Sequence, residues 1–257
     1  MALEPHRATA RVLDILERLS VSRNGLTLTE LSHAMDAPKS SLFPIVHTLE
    51  ERCYLRQEEA TGRYTIGPGA LTLSASAAAD ESLTSIIRVM KRVVAQCQET
   101  CQLGILDRGD VLYIGKEDST QAIRMISRVG NRLPANATAI GKALLSGLSD
   151  QEVRKLYAGG LPRLTEQTVT DLDQLLEQLR SVREGAIATE QEESTPQLAC
   201  WAVPLRHRHR VFSALSVSVP LFRCQAEKVE QVCRCLLEAQ AEIENMAGIR
   251  DFSMSKN

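Results

Sequence analysis

Residues 27–51 read TLTELSHAMDAPKSSLFPIVHTLEE, and this stretch decides the fold of the N-terminal part of the chain. Thr27 precedes Glu30 by three positions, which is the spacing of a capping box at the start of a helix. Residues 36–38 interrupt the chain with a proline, and apolar residues resume at helical spacing over residues 39–52. Two helices separated by a tight turn predict a helix-turn-helix.

The flanking segments extend this pattern in both directions. Residues 8–20 carry apolar side chains at helical spacing and predict a first helix. After the helix-turn-helix, residues 54–56 and 63–66 are short β-like runs, and the turn between them ends in Gly62. The resulting hairpin would be a wing, so the first part of the chain is predicted to be a winged helix-turn-helix.

The rest of the chain has a different pattern. A Gly-Pro-Gly break at residues 67–69 precedes an alanine- and serine-rich stretch that predicts a connecting helix. We therefore divide the chain into residues 1–67, a linker helix over residues 68–80, and a second domain over residues 81–251. The second domain is predicted to be α+β, with an antiparallel sheet flanked by helices. Its expected helices are 83–101, 139–145, 150–156, 172–183 and 225–246, and its expected strands are 103–106, 111–114, 122–129, 186–191, 198–205 and 211–219.

Composition excludes several classes of protein. The chain has 257 residues, of which 44% are hydrophobic and 24% charged, and this is the balance of a folded protein. No apolar run is long enough to cross a bilayer and no secretion signal is evident, so we expect a cytoplasmic protein with no membrane partner. The seven cysteines form no Cys-x-x-Cys pair, which favours small apolar packing residues, and we expect no metal and no cofactor.

The formal net charge of −2 requires any nucleic-acid contact to come from local placement of charge. Residues that open the second helix of a helix-turn-helix face base edges in the major groove of DNA. The predicted DNA-binding residues lie on that helix, on the wing and at the start of the first helix. They are Lys39, Ser40, Ser41, Phe43, His47, Arg63 and Arg7.

The sequence resembles the IclR family of bacterial transcription regulators. The resemblance rests on residues 28–32, 38–42, 49–52 and 61–67 in the first domain, and on three further segments of the second, residues 133–145, 200–205 and 214–218. It implies a winged helix-turn-helix, a linker helix used in dimerisation, and an effector-binding domain of GAF or profilin type. The expected partners are double-stranded operator DNA, a small carboxylate effector, and further copies of the chain in a homodimer or a homotetramer built as a dimer of dimers.

Two residues depart from the family pattern. Pro44 stands where a long polar or basic residue is usual, and proline beyond the first helical turn costs up to about 3 kcal/mol. Cys53 stands where the family has a glycine at the end of the helix, and a position with positive φ costs cysteine about 1 kcal/mol relative to glycine. Both changes affect which operator sequence the protein recognises, and not how it binds DNA.

The resemblance also implies the residues of the effector pocket. Glu190 is one of them and stands where aspartate is commoner in the family. A carboxylate needs hydrogen-bond donors in a dry pocket, and residues 138–141 offer backbone amides at the start of a helix. The implied residues are Ala139, Ile140, Glu190, Leu198, Cys200, Ser216 and Ser218, with Leu198 on the apolar wall.

The leading prediction is a ligand-responsive repressor of a carbon-catabolism operon. Residues 103–107 and 123–130 look similar to members that sense sugar-derived keto acids, so a sugar acid or keto acid is the expected effector. One alternative is an enzyme with Cys200 as nucleophile and His207 or His209 as base. Another is an architectural DNA-binding protein without a ligand. The arginine and histidine run over 206–210 has the look of a metal or polyanion site but is read as a solvated hairpin tip. Glu190, Glu192 and Glu193 could be an acid-base set but are read as a charged loop.

Overall fold

A computed structural model describes residues 6–78, 80–125 and 127–246 of the chain. Its contacts divide the chain after Asp80 into two compact units, Met1–Asp80 and Glu81–Asn257. The predicted end of the second domain, residue 251, lies outside the described residues. The overall class is α+β, as predicted, with the helix-turn-helix in the first unit and a larger antiparallel sheet with helices in the second. Within the described residues, no helix is both long and apolar enough to span a membrane.

The N-terminal unit is a winged helix-turn-helix. Its helices are α1 (Arg7–Val21), α2 (Leu28–Ala34), α3 (Lys39–Glu51) and α4 (Gly69–Ala78), and its strands are β1 (Leu26–Thr27), β2 (Leu55–Glu58) and β3 (Arg63–Ile66). The strands form one antiparallel sheet in the order β1, β3, β2. Side chains from α1, α2, α3 and the wing make a single small core that includes Ile15, Leu31, Leu42 and Leu55.

Hydrogen bonds between residues close in sequence define both ends of the helix-turn-helix. Thr27 accepts a hydrogen bond from the Glu30 amide at 3.2 Å, and the Glu30 carboxylate accepts one from the Thr27 amide at 2.7 Å, which completes the predicted capping box. At the other end of α3, Cys53 has φ 60°, and the amides of Cys53 and Tyr54 donate to the carbonyls of Glu50 and Leu49. These two bonds are a Schellman motif with cysteine in the glycine position.

The C-terminal unit is one six-stranded antiparallel sheet between two helical layers. The strand order is β6, β5, β4, β9, β8, β7. Its helices are α5 (Glu81–Cys97), α6 (Ala139–Leu145), α7 (Asp150–Leu156), α8 (Leu172–Arg183) and α9 (Ala226–Glu244). Its strands are β4 (Thr100–Asp107), β5 (Asp110–Glu117), β6 (Arg132–Pro134), β7 (Ala188–Gln191), β8 (Leu198–His207) and β9 (Arg210–Pro220). Helices α5 and α9 cover one face of the sheet, and α6 with α7 and α8 cover the other.

Two sequence-based expectations for this unit are wrong. The described residues of segment 122–129 do not form a strand; the Lys116 ammonium binds the Ser127 carbonyl, and Arg223 binds the Ile123 carbonyl, in place of ladder bonds. The predicted helix 83–101 ends at Cys97, because Gln98 has φ 58° and leaves the helical conformation. Cys101 therefore lies on β4 and not one helical turn after Cys97.

Gly141 shows how tightly α6 is packed. A Cβ atom at this position would lie 2.2 Å from the Ala135 carbonyl oxygen and 2.4 Å from the Ala135 Cα. Both are backbone atoms, which cannot rotate away as the end of a flexible side chain can. The path of residues 135–141 therefore depends on a residue without a side chain.

We predict that Gly141→Ala destabilises the C-terminal unit by about 2 kcal/mol, which lowers its melting temperature by roughly 4–8 °C. The cause is displacement of α6 from the Ala135 backbone. Differential scanning calorimetry measures the shift. Gly159→Ala is the matched control, because a Cβ there meets no atom within 4 Å. Equal melting temperatures for the two variants would show that α6 has room to move.

Candidate functional site

Helix α3 presents an exposed face with an aromatic centre. Ser40, Phe43, Pro44 and His47 recur at intervals of three and four residues and are all exposed. Phe43 keeps 53% of its surface exposed, and its ring centroid lies 6.0 Å from that of His47. An exposed aromatic side chain on a polar helix surface is typical of a binding face. We call Ser40, Phe43, Pro44 and His47 the recognition face.

The first turn of α3 adds polar groups beside this face. Lys39 is exposed and begins the helix, and Pro38 at the N-cap supplies no side-chain cap. Ser41 is half-buried and its hydroxyl donates to the Pro38 carbonyl at 2.8 Å. Uncapped amides at a helix N-terminus attract phosphate oxygens, and Lys39 brings a positive charge to the same end.

Pro44 lies in the second turn of α3 without breaking the helix. Proline has no amide hydrogen, so the Ser40 carbonyl lacks the helical donor that residue 44 normally provides. The Thr48 hydroxyl donates to the Pro44 carbonyl at 2.8 Å one turn later. Pro44 is therefore an apolar position on the recognition face, and the helix continues through it.

Two predicted DNA-binding arginines differ in their surroundings. Arg7 is exposed at the first residue of α1. Arg63 on the wing is half-buried, and its guanidinium donates to both oxygens of Glu30 at 2.9 and 3.0 Å and to the Gly25 carbonyl at 2.9 Å. These bonds connect the wing to α2 and engage the Arg63 guanidinium within the protein, so it is not one of the proposed DNA contacts.

The second candidate site is a closed polar cavity between α6 and the sheet. Six of the seven residues implied by the resemblance line it, namely Ala139, Ile140, Glu190, Cys200, Ser216 and Ser218. Leu198 is buried in the adjoining core and is not among the lining residues. Thr138, from the segment expected to offer backbone amides, also lines the cavity, and the sequence reasoning missed Gln102, Tyr113, Met125 and Ser194, which line it as well. Its volume is about 10 Å³, which is room for about one water molecule.

Gln102 lies at the centre of the polar lining. Its Oε1 accepts hydrogen bonds from Ser218 at 3.0 Å and Ser216 at 3.5 Å, and its Nε2 donates to the Ser127 hydroxyl at 2.7 Å. The Cys200 thiol lies 3.2 Å from the Ser218 hydroxyl. A glutamine between Cys101 and Leu103 in an apolar strand is the signal that would have identified this residue, because polar side chains in such a run need partners.

Glu190 is a buried carboxyl group at one side of the cavity. It accepts hydrogen bonds from the Glu193 amide at 2.9 Å and the Ser194 hydroxyl at 3.1 Å. Burial nevertheless raises the pKa of Glu190 above its ordinary value of 4.5, because desolvation outweighs these bonds. Burial also raises the pKa of Tyr113, so its phenol remains a neutral donor.

A buried ion pair lies directly behind the cavity wall. The Lys142 ammonium on α6 binds the Glu193 carboxylate, and it also donates to the Thr189 carbonyl at 3.2 Å. The second oxygen of Glu193 accepts from the Val169 amide at 3.2 Å. Glu190 and Glu193 are thus buried and fully engaged, so the reading of residues 190–193 as a charged loop is wrong for these two residues.

The thiol-enzyme alternative receives no support from this geometry. Burial and the neighbouring Glu190 raise the pKa of Cys200 well above its ordinary range, so the thiol is held in its unreactive form. His207 lies seven residues further along the same strand, about 20 Å away at the rise of a β-strand. Among the described residues, no three His, Cys, Asp or Glu side chains are grouped closely enough to hold a metal ion.

Comparisons with known proteins match both units of the chain to one family. Residues 8–59 match the family described as IclR helix-turn-helix domain, and residues 80–245 match the one described as bacterial transcriptional regulator IclR C-terminal. The chain is 33% identical over 245 residues to the HTH-type transcriptional regulator KdgR of Escherichia coli K12, covering 94% of this chain and 93% of that protein.

Two solved structures of IclR-type regulators are similar to this chain over more than nine tenths of its length. The crystal structure of an IclR transcriptional regulator from Alicyclobacillus acidocaldarius has a TM-score of 0.86 and 25% identity, covering 94% of this chain and 98% of that one. An IclR homologue from Microbacterium hydrocarbonoxydans, complexed with 4-hydroxybenzoate, has a TM-score of 0.77 and 25% identity, covering 92% and 97%.

A winged helix-turn-helix followed by a domain that encloses a polar cavity defines a transcription regulator that binds DNA and a small-molecule effector, and not an enzyme. The chain belongs to the IclR family of bacterial transcriptional regulators.

We predict that Glu190→Gln stabilises the C-terminal unit increasingly as pH rises. Because the folded pKa is raised, the folded protein retains a proton that the unfolded chain loses near pH 4.5, so native stability falls as pH rises through this window. Glutamine does not titrate, so the stability of the variant does not fall through this pH window for that reason. Urea denaturation at about pH 5 and about pH 7.5 measures the free energy of unfolding, and the difference between variant and native protein should be more positive at the higher pH. The exposed Glu166→Gln is the matched control, and a difference independent of pH would contradict the assignment.

Proposed function

We propose that this regulator binds a small organic acid in the cavity beneath α6 and that the acid changes its affinity for operator DNA. The observation that carries the proposal is the set of buried polar groups facing one another inside an apolar domain. Ser216, Ser218 and Gln102 lie on the adjacent strands β9 and β4, and Glu190 lies on β7 of the same sheet, in register with Cys200, which pairs with Ser218. Buried polar groups on this scale are expensive unless they serve a ligand or one another. The complex of a similar protein with 4-hydroxybenzoate supports an acid as the occupant.

The proposed occupant is a sugar acid or keto acid. Such molecules combine a carboxylate with hydroxyl or carbonyl groups, and the lining offers both donors and acceptors at short range. The proposed effector contacts are Ala139, Ile140, Glu190, Cys200, Ser216 and Ser218, with Leu198 in the adjoining core, and Gln102, Tyr113 and Thr138 line the same cavity. The similarity of residues 103–107 and 123–130 to regulators of sugar-derived keto acids supports this class.

The proposed DNA contacts lie on α3 and at the start of α1. Lys39, Ser40 and the α3 amides contact phosphates, and Phe43 and His47 contact base edges in the major groove. Phe43 has no polar atom, so its natural partner is the methyl group of a thymine. Arg7 is a further phosphate contact because it is exposed at a helix start. Binding to chromosomal DNA places the protein in the cytoplasm.

The regulator is proposed to act as a dimer that represses a carbon-catabolism operon. Helix α4 supports self-association, because Leu71 and Leu73 are more than half exposed on a helix otherwise made of small residues. Exposed apolar side chains of this kind are typical of a contact with another chain. A two-fold dimer would read a palindromic operator, and two dimers would form the tetramer.

We expect Lys39→Ala to weaken binding to the chain's own promoter region and to flatten its salt dependence. Loss of one phosphate contact reduces the slope of log K against log salt by about 0.9. Fluorescence anisotropy at several salt concentrations measures the slope. Lys91→Ala, an exposed lysine of the C-terminal unit, should leave it unchanged. An unchanged slope for Lys39→Ala would remove that residue from the contacts.

We expect calorimetric titration with a panel of keto acids and sugar acids to identify a binder. Ser216→Ala should weaken it by about 1–3 kcal/mol, or roughly 5–150-fold, because a buried partner is left unpaired. Ser213→Ala is the matched control, since Ser213 is buried on the same strand, bonds to the Gly104 carbonyl and does not line the cavity. Absence of binding by every acid, or equal weakening by both variants, would contradict the effector assignment.

A further inference from the structure

A second and larger concavity lies at the hairpin end of the C-terminal sheet. It has a volume of about 680 Å³, within the range of small-molecule pockets. It is separate from the effector cavity, because the two share no lining residue. Its floor is apolar and its rim is charged. We call it the hairpin groove, and it is lined by residues 106–109, Leu144, Gly147, Leu148, Glu152, Lys155, Leu156 and residues 209–212.

The floor of the hairpin groove is aliphatic for most of its extent. Leu144, Leu148 and Leu156 come from the α6 and α7 region, and Leu106 and Val211 come from the ends of β4 and β9. The side chain of Val211 also packs at Gly147, where a Cβ would approach it to 2.7 Å. Branched aliphatic side chains favour an apolar ligand without requiring the stacking geometry of an aromatic ring.

The carboxylates on the rim are already bound within the protein. Asp107 forms an ion pair with Arg132 at 2.9 Å. Glu152 accepts hydrogen bonds from the Ser149 amide at 2.7 Å and from the Ser149 hydroxyl at 2.6 Å, as part of the α7 capping box. Arg132 neutralises the charge of Asp107, so Glu152 is the rim carboxylate that retains its charge.

The basic groups on the rim have no such partners. Arg108, Lys155, His209 and Arg210 are all exposed, and within the part of the chain that the structure describes none of their side chains has an ion pair or hydrogen bond. Two of them belong to tight turns with positive φ, Arg108 at 52° and His209 at 66°. A left-handed conformation at a residue other than glycine costs free energy, and the second turn has two of them, Arg208 and His209. Arg108, Lys155 and Arg210, which have no internal partner among the described residues, thus place positive charge beside an aliphatic floor.

We propose that the hairpin groove is a second ligand site, which takes a carboxylate with an aliphatic body, such as a medium-chain fatty acid. The charge balance of the rim selects an anion, and the floor selects a flexible apolar chain. A macromolecular partner fits less well, because the groove has fewer lining residues than the 20–30 per side of a standard protein interface. The arginine and histidine run at 206–210 thereby acquires a role beyond that of a solvated hairpin tip.

The test is calorimetric titration of the full chain with octanoate and with its neutral amide. We expect octanoate to bind saturably with one site per chain, and octanamide at least about fivefold more weakly, because only the acid interacts with the rim cations. The double variant Arg108→Gln with Lys155→Gln should weaken octanoate about tenfold. The matched control, Lys91→Gln with Arg234→Gln, removes the same charge from exposed positions outside the groove and should bind octanoate as the native chain does.

Two results would overturn the second site. Octanoate could fail to bind, or bind with equal affinity to native chain and rim variant. If Ser216→Ala abolishes octanoate binding and the rim variant does not, the acid occupies the effector cavity, so the groove proposal fails while the proposed effector function stands. Retention of octanoate binding by Ser216→Ala, with loss in the rim variant, supports a separate site.

Discussion

The buried ion pair between Lys142 and Glu193 is the constraint on which the effector-binding unit depends. Removing both charges from water is costly, and the cost is offset only because each group has further partners. Lys142 also binds the Thr189 carbonyl, and Glu193 also accepts from the Val169 amide. The pair joins α6 to the β7–β8 connection, and these two elements form two walls of the cavity. Loss of either partner alone would leave a buried charge, so the walls are held in one arrangement.

That arrangement brings polar groups together within an apolar domain. Strands β4 and β9 contribute Gln102, Ser216 and Ser218. The connection after β7 contributes Ser194, whose hydroxyl donates a hydrogen bond to the Glu190 carboxylate. Each of these groups has a partner within the protein, and the cavity among them is small. The proposed sugar acid or keto acid would therefore have to replace internal hydrogen bonds and displace part of the wall. Met125 and Ser127, whose side chains contact Gln102, belong to the connection between β5 and β6. The proposed binding of an acid would thereby be coupled to movement of the chain.

The sequence predicted the elements whose signals are local. The capping box at Thr27 and the turn at Cys53 formed as expected, because each depends on bonds within a few residues. The same holds for α6 and α8, whose bounds match the predicted ranges. The segment 122–129 failed because alternation of side chains does not ensure a neighbouring strand, and here side chains of Lys116 and Arg223 bind its backbone. Burial of Glu193 could not be predicted, because its partner Lys142 lies 51 residues away in the sequence. Gln102 carries a local signal, a polar side chain in an apolar strand, but its partners Ser216 and Ser218 on β9 are too distant in the sequence to be predicted.

The central claim is that binding of the acid in the effector cavity changes the affinity for DNA, and this claim can be measured directly. The affinity of the chain for its own promoter DNA is measured by fluorescence anisotropy with and without the acid, and the affinity for the acid is measured with and without DNA. A coupled regulator must show the same factor in both comparisons, expected to be about 5–150-fold. A promoter affinity that is unaffected by an acid shown to bind the cavity would contradict the account.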